Sequence, residues 1–203
     1  IALGNKSKIF TDNFGGKGDA GNIDLKTIGD ISLSGSTPNS TAPTTQNSDQ
    51  YSVISSSTSG RGNAGKITID TQDRGKLSLD QAAISTAINQ EAVGSSNGII
   101  ISAREIDLRN GSLIFSQNLG GTGDAGNIII NAKGDLEIAD RSFISSTNFG
   151  QGKTGDISLN IDRITLNSGN IQAESIGGAG GNIQITARDL LLFRNSSNIA
   201  TNS

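Results

Sequence analysis

The chain has no histidine, cysteine, methionine or tryptophan. Without histidine or cysteine, the usual Ser–His and Cys–His nucleophilic pairs are excluded. So are disulfides, thiolate zinc sites and thiol redox chemistry. Aromatic residues are only 3% of the 203 residues, too few to fill the centre of a conventional globule of this size. Proline occurs twice, at Pro38 and Pro43. No apolar run approaches the roughly 20 residues of a membrane-spanning helix, so membrane insertion is not expected. No signal peptide is visible. Basic and acidic residues nearly balance, 16 against 19. That balance argues against nucleic acid as a partner, which wants a basic stripe. Glycine, by contrast, is abundant at 27 residues. A narrow core of Ile, Leu, Ser and Ala fits this composition. The pattern is already under way at Ile1, which reads as a piece of a longer protein.

What is present is a repeat. Its clearest copy is Gly121–Thr147, GTGDAGNIIINAKGDLEIADRSFISST. A Gly-rich turn leads into three short runs of alternating apolar residues. The first run recurs as Ile23/Leu25, Ile67/Ile69, Ile99/Ile101, Ile128/Ile130, Ile157/Leu159 and Ile183/Ile185, at steps of 44, 32, 29, 29 and 26 residues. The second recurs as Ile31/Leu33, Leu77/Leu79, Ile106/Leu108, Leu136/Ile138, Ile164/Leu166 and Leu190/Leu192. The third centres on Ile9, Ile54, Ile84, Ile114, Ile144, Ile171 and Ile199. Two residues beyond each of these lies a small one: Thr11, Ser56, Thr86, Ser116, Ser146, Ala173 and Thr201.

An alternation of two is the strand period, because successive side chains point to opposite faces. No segment has a 3.6-residue apolar period long enough for a helix. Three strands per unit, with like residues at like places, predict an all-β fold: a right-handed parallel β-helix. It has six or seven coils of roughly 29 residues, three short strands in each, over a single domain spanning 1–203. Isoleucine suits such ladders because β-branched side chains fit a pleated, buried surface. No coil can bury its apolar face alone, so stability belongs to the stack. A sandwich of hairpins would show two-residue Asn-Gly or Asp-Gly turns between strands; the turns here are longer. The 44-residue step holds a Ser/Thr/Pro-rich insertion at 35–50, read as a surface loop or a recognition loop.

The glycine turn reads NFGGKGDAGN at Asn13–Asn22 and NLGGTGDAGN at Asn118–Asn127. Its acids, Asp19 and Asp124, fall one residue too early for a calcium-binding GGxGxD roll. A strand follows, where a phosphate-cradling loop needs a helix N-terminus. The structural reading is that glycine supplies positive φ at a corner. Asn13, Asn118 and Asn148, and Asn22, Asn127 and Asn182, can then stack and bond along the rod.

One carboxylate cluster is predicted on the outer face of the second strand: Glu105 and Asp107 beside Ile106, Asp135 and Glu137 beside Leu136. Four oxygen-bearing acids in one patch could take a hard cation or supply paired acids for glycoside hydrolysis. Lys76 and Arg163 on the same row favour a solvated face of mixed charge. No cofactor is expected, and no catalytic residue is assigned. Ile100 and Ile129 form an outward apolar pair. The third strand's outward row, Phe10, Ser55, Ser85, Phe115, Ser145, Gln172 and Ala200, reads as a mild polar surface or a shallow binding face.

The series GDAGN-I-x-I, D-I-x-L and S-x-I-S-(S/T), followed by a GxG turn, resembles the repeats of filamentous-haemagglutinin-like exoproteins of the cyanobacterial type. Its most specific parts are Gly18–Ile23, Gly123–Ile128 and Phe143–Gly152, and the likeness spans Lys8 to Ser203. The resemblance implies a right-handed β-helix exported by two-partner secretion, with a role in adhesion or as a surface fibre. The NPNL- and NPNG-type motifs of that family's secretion domain are absent, which implies shaft repeats. The expectation is a non-enzymatic extracellular rod, secreted or at the cell surface. Its partners would be neighbouring coils of the parent protein and cell-surface or matrix glycans. The alternatives are a polysaccharide-binding or polysaccharide-degrading β-helix protein, and a lattice binder of the ice-binding kind. The last requires a solvent-facing Thr row.

Overall fold

In a computed structural model describing residues 1–35 and 50–202, the chain is a β-solenoid of about six turns spaced about 30 residues apart, with no helix. Every strand pairing is parallel, and each joins one coil to the next. The loop expected at 35–50 lies, but for Gly35 and Gln50, outside the described residues.

Two sheets form the walls. The first carries the first and second runs of each coil. In the lower coils these are separate strands: β1 (Ala2–Leu3), β3 (Ile23–Lys26), β4 (Ile31–Ser34), β6 (Ile67–Asp70), β7 (Lys76–Asp80), β9 (Ile99–Ala103) and β10 (Glu105–Arg109). In the upper coils the two runs merge into single bent strands: β12 (Ile128–Ala139), β14 (Ile157–Asn167) and β16 (Ile183–Arg194). The second sheet is the third run alone: β2 (Lys8–Asn13), β5 (Ser52–Thr58), β8 (Ala82–Ile88), β11 (Leu113–Asn118), β13 (Phe143–Asn148), β15 (Asn170–Ser175) and β17 (Asn198–Asn202).

The predicted ladders are the observed ones in the first and third runs. Ile23, Ile67, Ile99, Ile128, Ile157 and Ile183 stack in register. So do the seven isoleucines from Ile9 to Ile199. Their side chains meet inside a core of aliphatic residues. The Thr/Ser row from Thr11 to Thr201 also faces inward, with Ser56, Thr86, Ser116 and Ser146 fully buried. Thr86 thus serves the interior, and the outward Thr row of a lattice binder is not formed by these residues.

The second run departs from the sequence reading in the last coil. Ile164 pairs with Leu191 and Leu166 with Phe193, so Leu191/Phe193 continue the inward ladder where Leu190/Leu192 were expected. The cause is a β-bulge at the corner. Ala187 pairs with Ile161 but Leu190 with Arg163, so Arg188 and Asp189 stand opposite the single residue Asp162. One extra residue inverts every following side chain.

The corner between the second and third strands is turned by non-glycine residues with positive φ: Gln81, Asn110, Asp140, Ser168 and Asn195, between 50° and 59°. At the glycine corner Gly15, Gly120, Gly123 and Gly152 supply the expected positive φ, between 111° and 141°, but other glycines there answer a different need. A Cβ on Gly155 would lie 2.2 Å from the Gly126 carbonyl oxygen, and one on Gly65 would lie 2.0 Å from that of Gly21. Neither glycine has positive φ. They are glycines because the coil beneath comes too close for a side chain.

Candidate functional site

Three outer features could carry function: the glycine corner, the charged face of the first sheet, and the outer face of the second sheet.

At the corner the GDAGN acids are structural. The Asp19 carboxylate accepts the Asn63 N–H of the next coil, the Asn63 side-chain oxygen accepts that of Ser95, the Ser95 hydroxyl that of Asp124, and the Asp124 carboxylate that of Lys153, at 2.7–3.1 Å. A second series runs beside it: Asn22 Oδ1 accepts from Lys66 N–H, Asn127 Oδ1 from Asp156, and Asp156 Oδ1 from Asn182. Asn22, Asn127 and Asn182 therefore do bond along the rod. Asn13 and Asn118 do not. Each folds back on its own turn, with its amide donating to Gly16 and Gly18, or to Gly121 and Gly123. Asn148 stacks on Asn118 in register and accepts the Gly150 N–H.

The structure brings the four predicted carboxylates onto one face and gives each a cation. Asp107 is gripped from both sides, by Lys76 Nζ at 3.1 Å and Arg109 Nε at 2.7 Å. Arg109 reaches on to Glu137 at 2.7 Å, Arg163 holds Asp135 at 2.7 Å, and Arg104 holds Glu105 at 2.8 Å. The hydrogen bond and charge of Asp107 push the Arg109 guanidinium above its ordinary value. Arg163 is pushed up in the same way by Asp135. Among the described residues, no group of three or more acids is disposed to hold a metal ion. This is the mixed-charge face that Lys76 and Arg163 suggested.

The second sheet's outer face is concave. A groove of about 570 Å³ crosses the strands from β5 to β15. One wall is an apolar row, Val53, Ala83, Leu113 and Phe143, each paired with the next. Tyr51 packs on this row and is buried. Burial raises its phenol pKa. The floor is the row Ser55, Ser85, Phe115 and Ser145. The far wall carries Ser57, Gln117, Thr147 and Glu174, and Phe149 stands at the rim, 48% exposed. On the first sheet, Ile100 and Ile129 do sit side by side, half-buried.

Sequence reasoning found the floor of this groove and judged it mild. It missed the wall. The signal was the same alternation carried one step back: Val53, Ala83, Leu113 and Phe143 each immediately precede the inward isoleucine. Tyr51 and Phe149 lie in turns flanking the strands, and only the stacking of coils brings them to one concavity.

No protein-family model, no curated protein and no solved structure matches the chain.

Proposed function

We propose that the chain is a non-enzymatic shaft segment of a secreted, rod-shaped adhesin of the filamentous-haemagglutinin-like kind. It would act outside the cell in spacing and adhesion, against cell-surface or matrix glycans. The observation that carries this reading is the unbroken register of the third strand. Seven isoleucine rungs of the third strand stack without a slip, and the corner acids bond the next coil's backbone. The repeat is spent on stiffness along one axis, which is what a spacer needs. The degradative alternative needs one carboxylic acid to protonate the leaving group and a second carboxylate to act on water or sugar. Asp107 and Glu137 are instead bridged by one guanidinium.

The test is a panel of insoluble polysaccharides read twice, for retention of the chain on the pellet and for release of reducing or unsaturated ends. Retention without release is expected. Release abolished by Asp107→Asn or Glu137→Gln would make the chain an enzyme and end this reading.

A further inference from the structure

We propose that the groove on the outer face of the second sheet binds an uncharged oligosaccharide lying along the rod axis. This names the partner of the adhesive rod above and rests on that reading.

The chain has six Phe, one Tyr and no Trp. Four of those seven line this groove: Tyr51, Phe115, Phe143 and Phe149. The interior of the tube does not use them, being built from Ile, Leu and Ala; Tyr51, Phe115 and Phe143 pack instead with Val53, Ala83 and Leu113 in a second, smaller cluster on the outer face. A chain this poor in aromatics has gathered most of them on one outer surface. Rings that bury apolar area on a mainly polar partner are a feature of ligand sites.

The polar lining is almost wholly hydroxyl and amide, such as Ser85, Gln117, Ser145 and Gln172. These groups both donate and accept hydrogen bonds. Sugar hydroxyls do the same, and the C–H faces of a pyranose are the apolar surface that rings can cover.

Among the described residues of the lining, Glu174 is the only ionised side chain and no Lys or Arg is present. The Asn202 amide already donates to that carboxylate, at 3.0 Å. The chain's Lys and Arg ion pairs stand elsewhere, largely on the first sheet. A sulfated or uronate polymer would find no countercharge in the groove, whereas a neutral chain desolvates none. An extended peptide is poorly served too, because the groove is a sheet face whose backbone groups are already paired, not an open edge.

The lining runs over five rungs, β5 to β15. At about 4.8 Å per rung, that is about 19 Å along the axis, room for several sugars in a row.

The groove carries its own reporter. Tyr51 is the only tyrosine and there is no tryptophan, so the chain's tyrosine emission comes from the groove wall. The intact chain is titrated with cellohexaose and maltohexaose as neutral probes, with polygalacturonate and heparin as anionic ones, and with a proline-rich peptide. Tyr51 emission and calorimetry are read together. The variants are Phe149→Ala, at an exposed rim position that folding does not need, and Phe115→Ala, each checked by circular dichroism.

A neutral hexaose should bind and alter Tyr51 emission, and Phe149→Ala should weaken it about tenfold, as loss of an aromatic anchor does. Binding of the anionic polymers alone, of the peptide alone, or of no neutral sugar overturns the proposal. So does neutral-sugar binding that both folded variants keep at full strength. If both variants keep full retention on insoluble polysaccharide, the groove falls and the adhesive rod stands. If product is released, the rod reading falls whatever the groove binds.

Discussion

Ser116 and Ser146 occupy the same place in adjacent coils, paired across β11 and β13 and both fully buried. Their hydrogen bonding differs, so their alanine variants should differ in sign. The Ser116 oxygen accepts the Gly126 N–H at 2.8 Å and the Thr86 hydroxyl at 3.0 Å, and lies 3.1 Å from the Ser96 oxygen. In Ser116→Ala, Thr86 and Ser96 keep each other, 2.8 Å apart, but the Gly126 N–H loses its acceptor inside the tube. A buried donor left unpaired costs about 1–3 kcal/mol. The Ser146 hydroxyl has no hydrogen-bond partner among the described residues. Removing it costs no hydrogen bond and relieves a buried polar atom, so Ser146→Ala should be neutral or up to about 1 kcal/mol more stable. The next coil already carries alanine there, as Ala173. Thermal melts of the two variants should separate by about 2–4 °C per kcal/mol at this chain length. Solenoids can open coil by coil, so amide exchange at Gly126 is the sharper readout. It should quicken in Ser116→Ala and stay as in the parent in Ser146→Ala. Equal losses in the two variants, or unchanged exchange at Gly126, would refute the reasoning.

Four further outcomes are expected. Gly155→Ala should cost about 3 kcal/mol or more, because its Cβ would press on the backbone of the coil beneath. Gly18→Ala, where a Cβ meets nothing within 4 Å, should stay within about 0.5 kcal/mol of the parent in the same denaturant titration. Arg109→Met should cost under about 1 kcal/mol, with the deficit shrinking in high salt, because Arg109 is half open to solvent and the more covered Asp107 keeps Lys76 at 3.1 Å. Burial raises the Tyr51 phenol, so the neutral form is favoured in the fold. Its contribution to stability is whole below the ordinary tyrosine value of about 10 and is lost as pH climbs through the raised value. A phenolate absorbance titration should give a higher midpoint for the native chain than for the chain in denaturant.

The tube was legible in the sequence because its cause is local. A side-chain period of two, kept at Ile23/Leu25 and again at each later coil, can bury both residues only on one face of a strand. A unit of roughly 29 residues repeated this way can bury them only by stacking. The inward Thr86 and Ser116 followed from the same parity. So did the neighbourhood of Glu105, Asp107, Asp135 and Glu137, since alternation puts them on one outer row. Parity failed at Leu190, where two corner residues oppose one; no local signal distinguishes a bulge from a bend when the flanking run, Leu190 to Phe193, is apolar throughout. What each acid touches also lay beyond sequence. Asp124 caps an N–H 29 residues away, and Arg109 ties together two coils. The groove was decided by tertiary structure for the same reason. Tyr51, Phe115, Phe143 and Phe149 are scattered over about a hundred residues of chain. They share a surface only because each coil advances a single strand spacing, which turns separation along the chain into contact along the rod.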